Sequence, residues 1–338
     1  MKKIDLERIK DILETFKDRK ILVYGDLMID EFIFSDVKRI SPEAPVPVAE
    51  VIEKNYRLGG ASNVAANIVS LGGKACMAGL VGDDGFGRLF SESASEQGID
   101  VSCIVKDEDR PTTVKTRILA QNQQIARVDS EKRHAMSHEI KEKMKRKLSE
   151  NIDKYEAVII SDYAKGAFNI DISDFIKNIC NQKGIITAVD PKIRSEELYS
   201  GIDYLKPNLR EAQMLAGLEI KDEDSLQLAG KTLLERMKAK VVVLTRGKDG
   251  ISVFQKDKRF DIPTQARKVY DVTGAGDTTI ATLIMAILSG ADIMEASLIA
   301  NIAAGIVVGE VGTAKATCDD ILSHCSEYEE EICCFQKK

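Results

Sequence analysis

Apolar residues along this chain fall into short unbroken runs separated by longer stretches of helical period. The runs are ILVYG (21–25), ACMAGLV (75–81), AVIIS (157–161), GIITAVD (184–190), DYLKP (203–207) and VVVLT (241–245). Between and beyond them, the pattern predicts helices over 61–71, 85–97, 137–150, 171–182, 209–216, 223–238, 277–289 and 292–308. Strands that are apolar throughout have no solvent face. Their alternation with helices predicts an α/β fold: a mostly parallel sheet with helices on both faces. In the charged N-terminal segment, Ile9, Ile12, Leu13 and Phe16 stand at helical spacing and predict an amphipathic surface helix.

Two stretches break the rhythm. Residues 31–55 include RISPEAPVPVAEV, with three prolines and no helical period. Within 101–128, Val114, Thr116 and Ile118 alternate with Lys115, Arg117 and Leu119. Both predict β-structure outside the main sheet, as an accessory sheet, a lid or an interface. Residues 319–338 predict a short amphipathic helix and a frayed end.

Composition narrows the classes. The 338 residues are 44% hydrophobic and 30% charged, suited to one large α/β domain or two smaller ones. A net charge of −6 gives no positive field to hold a nucleic-acid backbone. Seven scattered cysteines, no CxxC and three histidines argue against a zinc site or a disulfide framework and for reduced thiols. Cys333 and Cys334, in the polar tail, are the thiols prone to oxidation on handling. No apolar run reaches the roughly 20 residues a membrane helix needs, and the N-terminus lacks a signal peptide's apolar core. The expectation is a cytoplasmic protein with no membrane or nucleic-acid partner.

Polar residues follow the apolar strands repeatedly: Asp26 and Asp30, Asp83 and Asp84, Asp162, Asp190 and Lys192, Asn208 and Glu211, Thr245 and Arg246. Ligands of open parallel sheets bind beyond the carboxyl ends of the strands. Loops are polar in any case, so the series carries more weight than any one member.

The segment YDVTGAGDTT (270–279) places Gly274, Ala275 and Gly276 before Asp277 and the apolar run IATLIMAIL (280–288). A helix N-terminus has unpaired N–H groups and a partial positive charge, and small residues let an anion approach them. The amides of about Ala275, Gly276 and Asp277 would thus form an anion hole. A carboxylate there repels a bound anion unless it has a task, such as accepting the proton of a hydroxyl that attacks phosphorus. The competing reading is an Asp that caps the helix for stability alone. Thr279 occupies the place of the third glycine in a dinucleotide fingerprint, which disfavours that reading.

DVTGAGDTTIATL resembles the C-terminal motif of the ribokinase-like (PfkB) carbohydrate kinases. GGASNVAANIVSLGGKACMAGLVGDDGFG (59–87) is similar to that family's upstream motif, with its paired glycines, Asn63, Gly72 and Gly82. KPNLREA (206–212) and TRGKDG (245–250) resemble its nucleotide-side elements, so the likeness covers about 18–318. It implies a kinase domain over 1–318, with a β lid from about 31–55 and 101–128, and a tail over 319–338. Lids of this family often clasp two subunits, which implies a homodimer with Val46, Val48 and Val51 partly interfacial. RISPEAPVPV, PTTVKTRILAQNQQIARVD and SDYAKGAF are similar to the subgroup acting on D-glycero-β-D-manno-heptose 7-phosphate. Thr279 and Ala281 depart from the family's usual Phe and Gly. The subgroup is often fused to a nucleotidyltransferase domain. The chain ends at 338, which gives the expectation of a stand-alone kinase.

The resemblance also implies roles. ATP with Mg²⁺ would phosphorylate O1 of the heptose phosphate, giving a 1,7-bisphosphate for ADP-heptose synthesis and the lipopolysaccharide inner core. Asp277 would be the base, and Gly274, Ala275 and Gly276 the hole. Asn208 and Glu211 would serve the metal and phosphates through water, although Asn-x-x-Glu at a helix start also reads as a capping box. Thr245 and Gly247 would line the ATP phosphates, unless RGKDG is only a tight turn. Asn301 would border the adenine pocket or merely pack its helix. Asp30 would hold sugar hydroxyls beside Gly59, Gly60 and Asn63, or cap a turn. Two of Arg39, Lys115, Arg117, Arg127 and Lys165 would bind the 7-phosphate, where most surface cations are simply solvated. A ribokinase-like kinase of another sugar or sugar phosphate, and a catalytically silent sugar- or nucleotide-binding protein, are the alternatives.

Overall fold

The alternation of apolar runs and helical stretches is realised almost element by element. The computed structural model describes residues 2–3, 5–121, 123–192, 195–256, 258–266, 269–310, 314–327 and 333–337. In chain order the elements are β1 (Lys2–Lys3), α1 (Leu6–Glu14), β2 (Lys20–Ile40), β3 (Pro47–Gly60), α2 (Ala61–Ser70), β4 (Lys74–Gly82), α3 (Gly85–Glu96) and β5 (Asp100–Asp107). There follow β6 (Thr113–Ala120), β7 (Gln123–Ser130), α4 (His138–Asn151), β8 (Ala157–Ser161), α5 (Ile170–Lys183), β9 (Ile186–Asp190), β10 (Tyr204–Leu205), α6 (Leu209–Ala216) and α7 (Glu223–Met237). The chain closes with β11 (Val241–Thr245), β12 (Ile251–Gln255), β13 (Lys258–Ile262), α8 (Ala275–Leu288), α9 (Ile293–Val308), α10 (Cys318–Glu327) and β14 (Cys333–Lys337).

The main sheet runs β1-β14-β13-β12-β11-β10-β9-β8-β2-β4-β5. Pairing is parallel from β11 through to β5 and antiparallel at the β12–β14 edge. The parallel strands are apolar throughout because helices cover both faces. On one face, α1, α2, α8, α9 and α10 bury Ile12, Val64, Ile284, Ile299 and Ile321 against Val23 and Ile159. On the other, α4 to α7 bury Met144, Ile176, Leu215 and Leu233 against Leu22 and Val158. Each residue of the strand interior thus loses its apolar surface to a helix on its own side, the main favourable term in such a fold.

Residues 31–40 and 47–55 pair within the lid, which is continuous with the main sheet through β2. β2 is one strand of 21 residues whose first part is central in the main sheet and whose second part leaves it. That second part pairs antiparallel with β3 and parallel with β6, and β6 pairs with β7, giving the lid order β3-β2-β6-β7. Two expectations need correction. The segment 101–128 is divided. β5 lies in the main sheet beside β4, and only β6 and β7 belong to the lid. The segment after 318 is not frayed where it is described: α10 buries Ile321 and Cys325, and the backbone of β14 pairs with β13. The side chains of Cys333 and Cys334 lie outside the described residues.

Helix α8 explains how the glycine turn is placed. Residues Asp277 to Ala286 are all buried, as expected of a helix apolar on every side. It packs against α2, where Thr278 Oγ1 meets Asn67 Oδ1 at 2.9 Å. Its N-terminus therefore opens beyond the carboxyl ends of the central strands. No helix among the described residues is long and apolar enough to cross a membrane.

Candidate active site

Gly274 ends the approach to α8 with φ of +85°, a left-handed conformation that glycine adopts without strain. Ala275 starts the helix, and the amides of Gly276 and Asp277 have no intramolecular acceptor among the described residues. Asp277 is the third residue of the helix, not its cap, so the capping reading fails. The residue is 4% exposed. Both carboxylate oxygens receive the hydroxyl of Tyr163, at 3.1 and 3.2 Å, and the Asn63 side chain lies close enough to favour the carboxylate. Burial, then the negative charge of Asp190, pushes this carboxyl up to about 7, against the opposing pull of Lys206, Tyr163 and Asn63. An acid poised there exchanges its proton readily at neutral pH.

Beside Asp277 lies a cavity of about 780 Å³. It gathers every residue expected on the nucleotide side: Gly274, Ala275, Gly276, Asn208, Glu211, Thr245, Gly247 and Asn301. The bland readings of several hold as well. Asn208 and Glu211 form a reciprocal capping box, with Glu211 N to Asn208 Oδ1 and Asn208 N to Glu211 Oε2 both 2.9 Å. Burial raises the Glu211 carboxyl above its ordinary value, and its other oxygen, Oε1, faces Lys192 Nζ at 3.8 Å. Gly247 opens the turn that joins β11 to β12. Asn301 Nδ2 donates to Pro263 O at 2.6 Å, so it also pins the loop after β13.

Two groups of this site were not given roles by sequence. Lys206, 3% exposed, pairs with Asp190 at 2.9 Å. Its signal was its place in KPNLREA. Tyr163 stands in SDYAKGAF, and nothing in that segment alone shows that it meets Asp277. Among the described residues, no three His, Cys, Asp or Glu side chains are placed to hold a metal ion.

The sugar-side residues gather around β2. Asp30 lies within that strand, so it caps no turn, and it bonds Arg117 Nη1 at 2.5 Å. Gly59 lies diagonally across on β3, where it faces Met28 while Asp30 faces Arg57. A Cβ on Gly59 would stand 2.2 Å from Asp30 Oδ2, so only glycine leaves that carboxylate its place. Gly60 follows with φ of +63° and leads directly into α2, which carries Asn63 to Asp277. The five candidate cations separate. Arg117 is engaged by Asp30, Lys165 by Glu131, and exposed Arg127 by both oxygens of Asp129 at 2.9 Å. Arg39 lies nine residues along β2 from Asp30, about 30 Å in an extended strand, and does not reach the site. The side chain of Lys115 has no hydrogen bond or ion pair among the described residues. Its ammonium stands over the Tyr163 ring at 6.0 Å, and burial followed by the charge of Lys165 holds it below the ordinary lysine value.

Residues 18–319 match the model of the pfkB family of carbohydrate kinases. The bifunctional protein HldE of Helicobacter hepaticus is 42% identical over 308 residues, which cover 91% of this chain and 64% of the relative. The bifunctional protein HldE of Syntrophotalea carbinolica is 38% identical over 334 residues, covering 97% and 68%. The chain thus spans about two thirds of the length of these relatives. In structure it is similar to phosphofructokinase-2 of Escherichia coli in complex with potassium, with a TM-score of 0.77, 19% identity and coverage of 93% and 99%. It is also similar to the ribokinase of Arabidopsis thaliana complexed with ribose and ATP, with a TM-score of 0.70, 20% identity and coverage of 90% and 98%. At such identities the likeness is one of fold, and it bears out the α/β architecture expected from the motifs.

Proposed function

The chain belongs to the pfkB family of carbohydrate kinases, and from that premise we propose that it transfers the γ-phosphoryl group of ATP to O1 of D-glycero-β-D-manno-heptose 7-phosphate. The observation that carries the reading is Asp277. It is a buried carboxyl near neutral pKa, beside two helix amides that have no acceptor among the described residues, at the wall of a cavity large enough for a nucleotide.

In this reading Asp277 takes the O1 proton as the oxygen attacks. The amides of Gly276 and Asp277, with the helix dipole, stabilise charge on the transferring group. Lys206 adds positive charge at the same place. Thr245, Gly247 and Asn301 line the nucleotide. Asn208 Oδ1 and Glu211 Oε2 are committed to their capping box, leaving Glu211 Oε1 toward the phosphates. That donor set fits a Mg²⁺ carried in by ATP and held through water. When bound, the ion neutralises phosphate charge. Asp30, steadied by Arg117, accepts sugar hydroxyls near Gly59, Gly60 and Asn63. Lys115, with Lys165 beside it, meets the 7-phosphate.

The lid of β2, β3, β6 and β7 would close on the sugar and exclude water. Its outer residues Val46 and Val51 are exposed, at 51% and 55%, in keeping with a homodimer clasped through the lids. A monomer by sedimentation at micromolar concentration would sink that part. In this reading the kinase unit spans 1–318, extended by α10 and β14, which join its core and main sheet, and it works in the cytoplasm. Its product would supply ADP-heptose for the lipopolysaccharide inner core.

A second reading, a kinase for another sugar or sugar phosphate, is favoured by one observation. Three of the five candidate cations already have carboxylate partners within the chain. The deciding assay mixes the chain with Mg-ATP and heptose 7-phosphate, fructose 6-phosphate, ribose or adenosine. It measures ADP release and the phosphorylated position. Selective turnover of the heptose phosphate at O1 supports the first reading. Turnover of another member favours the second, and silence on all four overturns the first.

A further inference from the structure

The loop that follows β8 is held from below by two buried carboxylates. Asp26 Oδ2 accepts the amides of Tyr163 at 2.8 Å and Lys165 at 3.0 Å, and Asp26 Oδ1 accepts that of Ala167 at 3.1 Å. Asp162 Oδ1 accepts the amide of Ala164 at 2.8 Å, and Ala164 has φ of +57°. With four amides tied down, the loop has little freedom, and the backbone of Tyr163 is fixed between the sugar side and the nucleotide side. Its ring lies near two ammonium groups, Lys115 from the lid at 6.0 Å and Lys192 from the loop after β9 at 5.5 Å. Its hydroxyl reaches both oxygens of Asp277.

We propose that Tyr163 is a positioning residue for the phosphoryl-transfer base: its hydroxyl orients the Asp277 carboxylate and keeps it in the proton-accepting form. The inference rests on the reading of Asp277 as the base. A phenol that reaches both oxygens restricts rotation of the carboxyl about its Cβ–Cγ bond. It also stabilises the carboxylate over the neutral acid, because the carboxylate accepts a hydrogen bond more strongly. The hydroxyl remains a donor throughout the working range, since burial and then the negative charges of Asp277, Asp190 and Asp30 raise its pKa well above the ordinary value. The groups that set the charge state of Asp277 come from four elements. Asp190, at the end of β9, opposes ionisation. Lys206, after β10, Asn63 on α2 and Tyr163 favour it. Removing Tyr163's bond therefore moves the titration of Asp277 upward.

The experiment compares the wild-type chain with Tyr163→Phe and with 3-fluorotyrosine placed at 163 alone. The phosphoryl acceptor is whichever sugar of the panel is turned over. A fluorinated phenol is a stronger donor and almost the same shape. The acid limb of kcat/KM should move up by about one pH unit in Tyr163→Phe and down in the fluorotyrosine protein. ATP affinity should stay unchanged in both, and the Phe variant should recover most of its rate at alkaline pH. A packing role alone would not produce this ordering. Coincident acid limbs in the three proteins would overturn the inference. Should the Phe variant not fold, the fluorotyrosine arm decides by itself. The titration of the Asp277 carboxyl, followed by ¹³C NMR and assigned with Asp277→Asn, reads the same ordering without turnover. An enzyme silent on the panel thus fails the kinase reading while this test still gives its answer.

Discussion

Lys206 Nζ lies 2.9 Å from Asp190 Oδ1, and the pair sits directly against the glycine turn. A Cβ built on Gly276 would stand 3.3 Å from the ammonium and 3.5 Å from Asp190 Oδ2. Two neighbouring parallel strands, β9 and β10, thus deliver one negative and one positive charge to the mouth of α8. Asp277 feels both. Under the proposed reading, the ammonium readies the site for phosphate, while Asp190 raises the Asp277 carboxyl and so makes it a better proton acceptor.

Replacing Asp190 by Asn removes the largest charge that opposes ionisation of Asp277. The acid limb of kcat/KM should move to lower pH, because the carboxyl then ionises more easily. A profile of rate against pH for the two proteins checks this. An upward move would contradict it.

Asp277→Asn keeps the shape of the side chain and removes the proton acceptor. The variant should bind ATP normally and lose turnover by about three orders of magnitude. Near-normal turnover, measured as ADP release with saturating sugar, would refute the assignment of the base.

The same substitution changes stability with a definite sign. An unfolded aspartate titrates near 3.9. In the folded chain Asp277 is pushed up to about 7. Between those values the native state holds a proton that the unfolded state has released, so stability falls as pH rises from about 4 to about 7. Asp277→Asn should therefore melt a few degrees higher than wild type at pH 8 and at nearly the same temperature at pH 4. Calorimetry at the two values checks the difference.

Gly59→Ala tests the sugar side without adding charge. The new Cβ would stand 2.2 Å from Asp30 Oδ2 and 3.2 Å from Met28 Cγ, so Asp30 must swing away from Arg117. KM for the sugar should rise about tenfold or more, with ATP affinity unchanged. An unaltered sugar KM would remove Asp30 from the substrate contacts.

Lys115→Met and Arg127→Met separate a free cation from an engaged one. Lys115 has no carboxylate partner among the described residues, whereas Arg127 is chelated by Asp129 and exposed. The first should raise KM for a sugar phosphate by about 10- to 100-fold, and the second should change it little. Equal effects would show that the 7-phosphate is met elsewhere.

Much of this molecule was legible locally. A strand buried on both faces must be apolar at every position, so AVIIS and VVVLT announced themselves without reference to any neighbour. The helix ends were equally local. Ser137, Asn169, Asn208 and Asp222 each cap a helix whose start the periodicity placed within one residue. The glycine turn was visible for the same reason, since an open helix N-terminus needs small residues only in its own few positions.

The α/β layering, the glycine turn at the start of α8 and the carboxylate beside it were legible in the chain alone, because each follows from the backbone chemistry and burial of a short segment. The tertiary structure alone decided which groups meet. Tyr163 reaches Asp277 across 114 residues only because β8 and α8 are brought together through the sheet. Asp190 finds Lys206 only through the parallel register of β9 and β10. β2 runs on into the lid because β6 and β3 supply pairing partners there, something no pattern within β2 reveals. Lys115, Arg117, Arg127 and Lys165 look alike as lysines and arginines in a sequence. Their different fates come from which carboxylate stands within reach, and that distance exists only once the strands have paired.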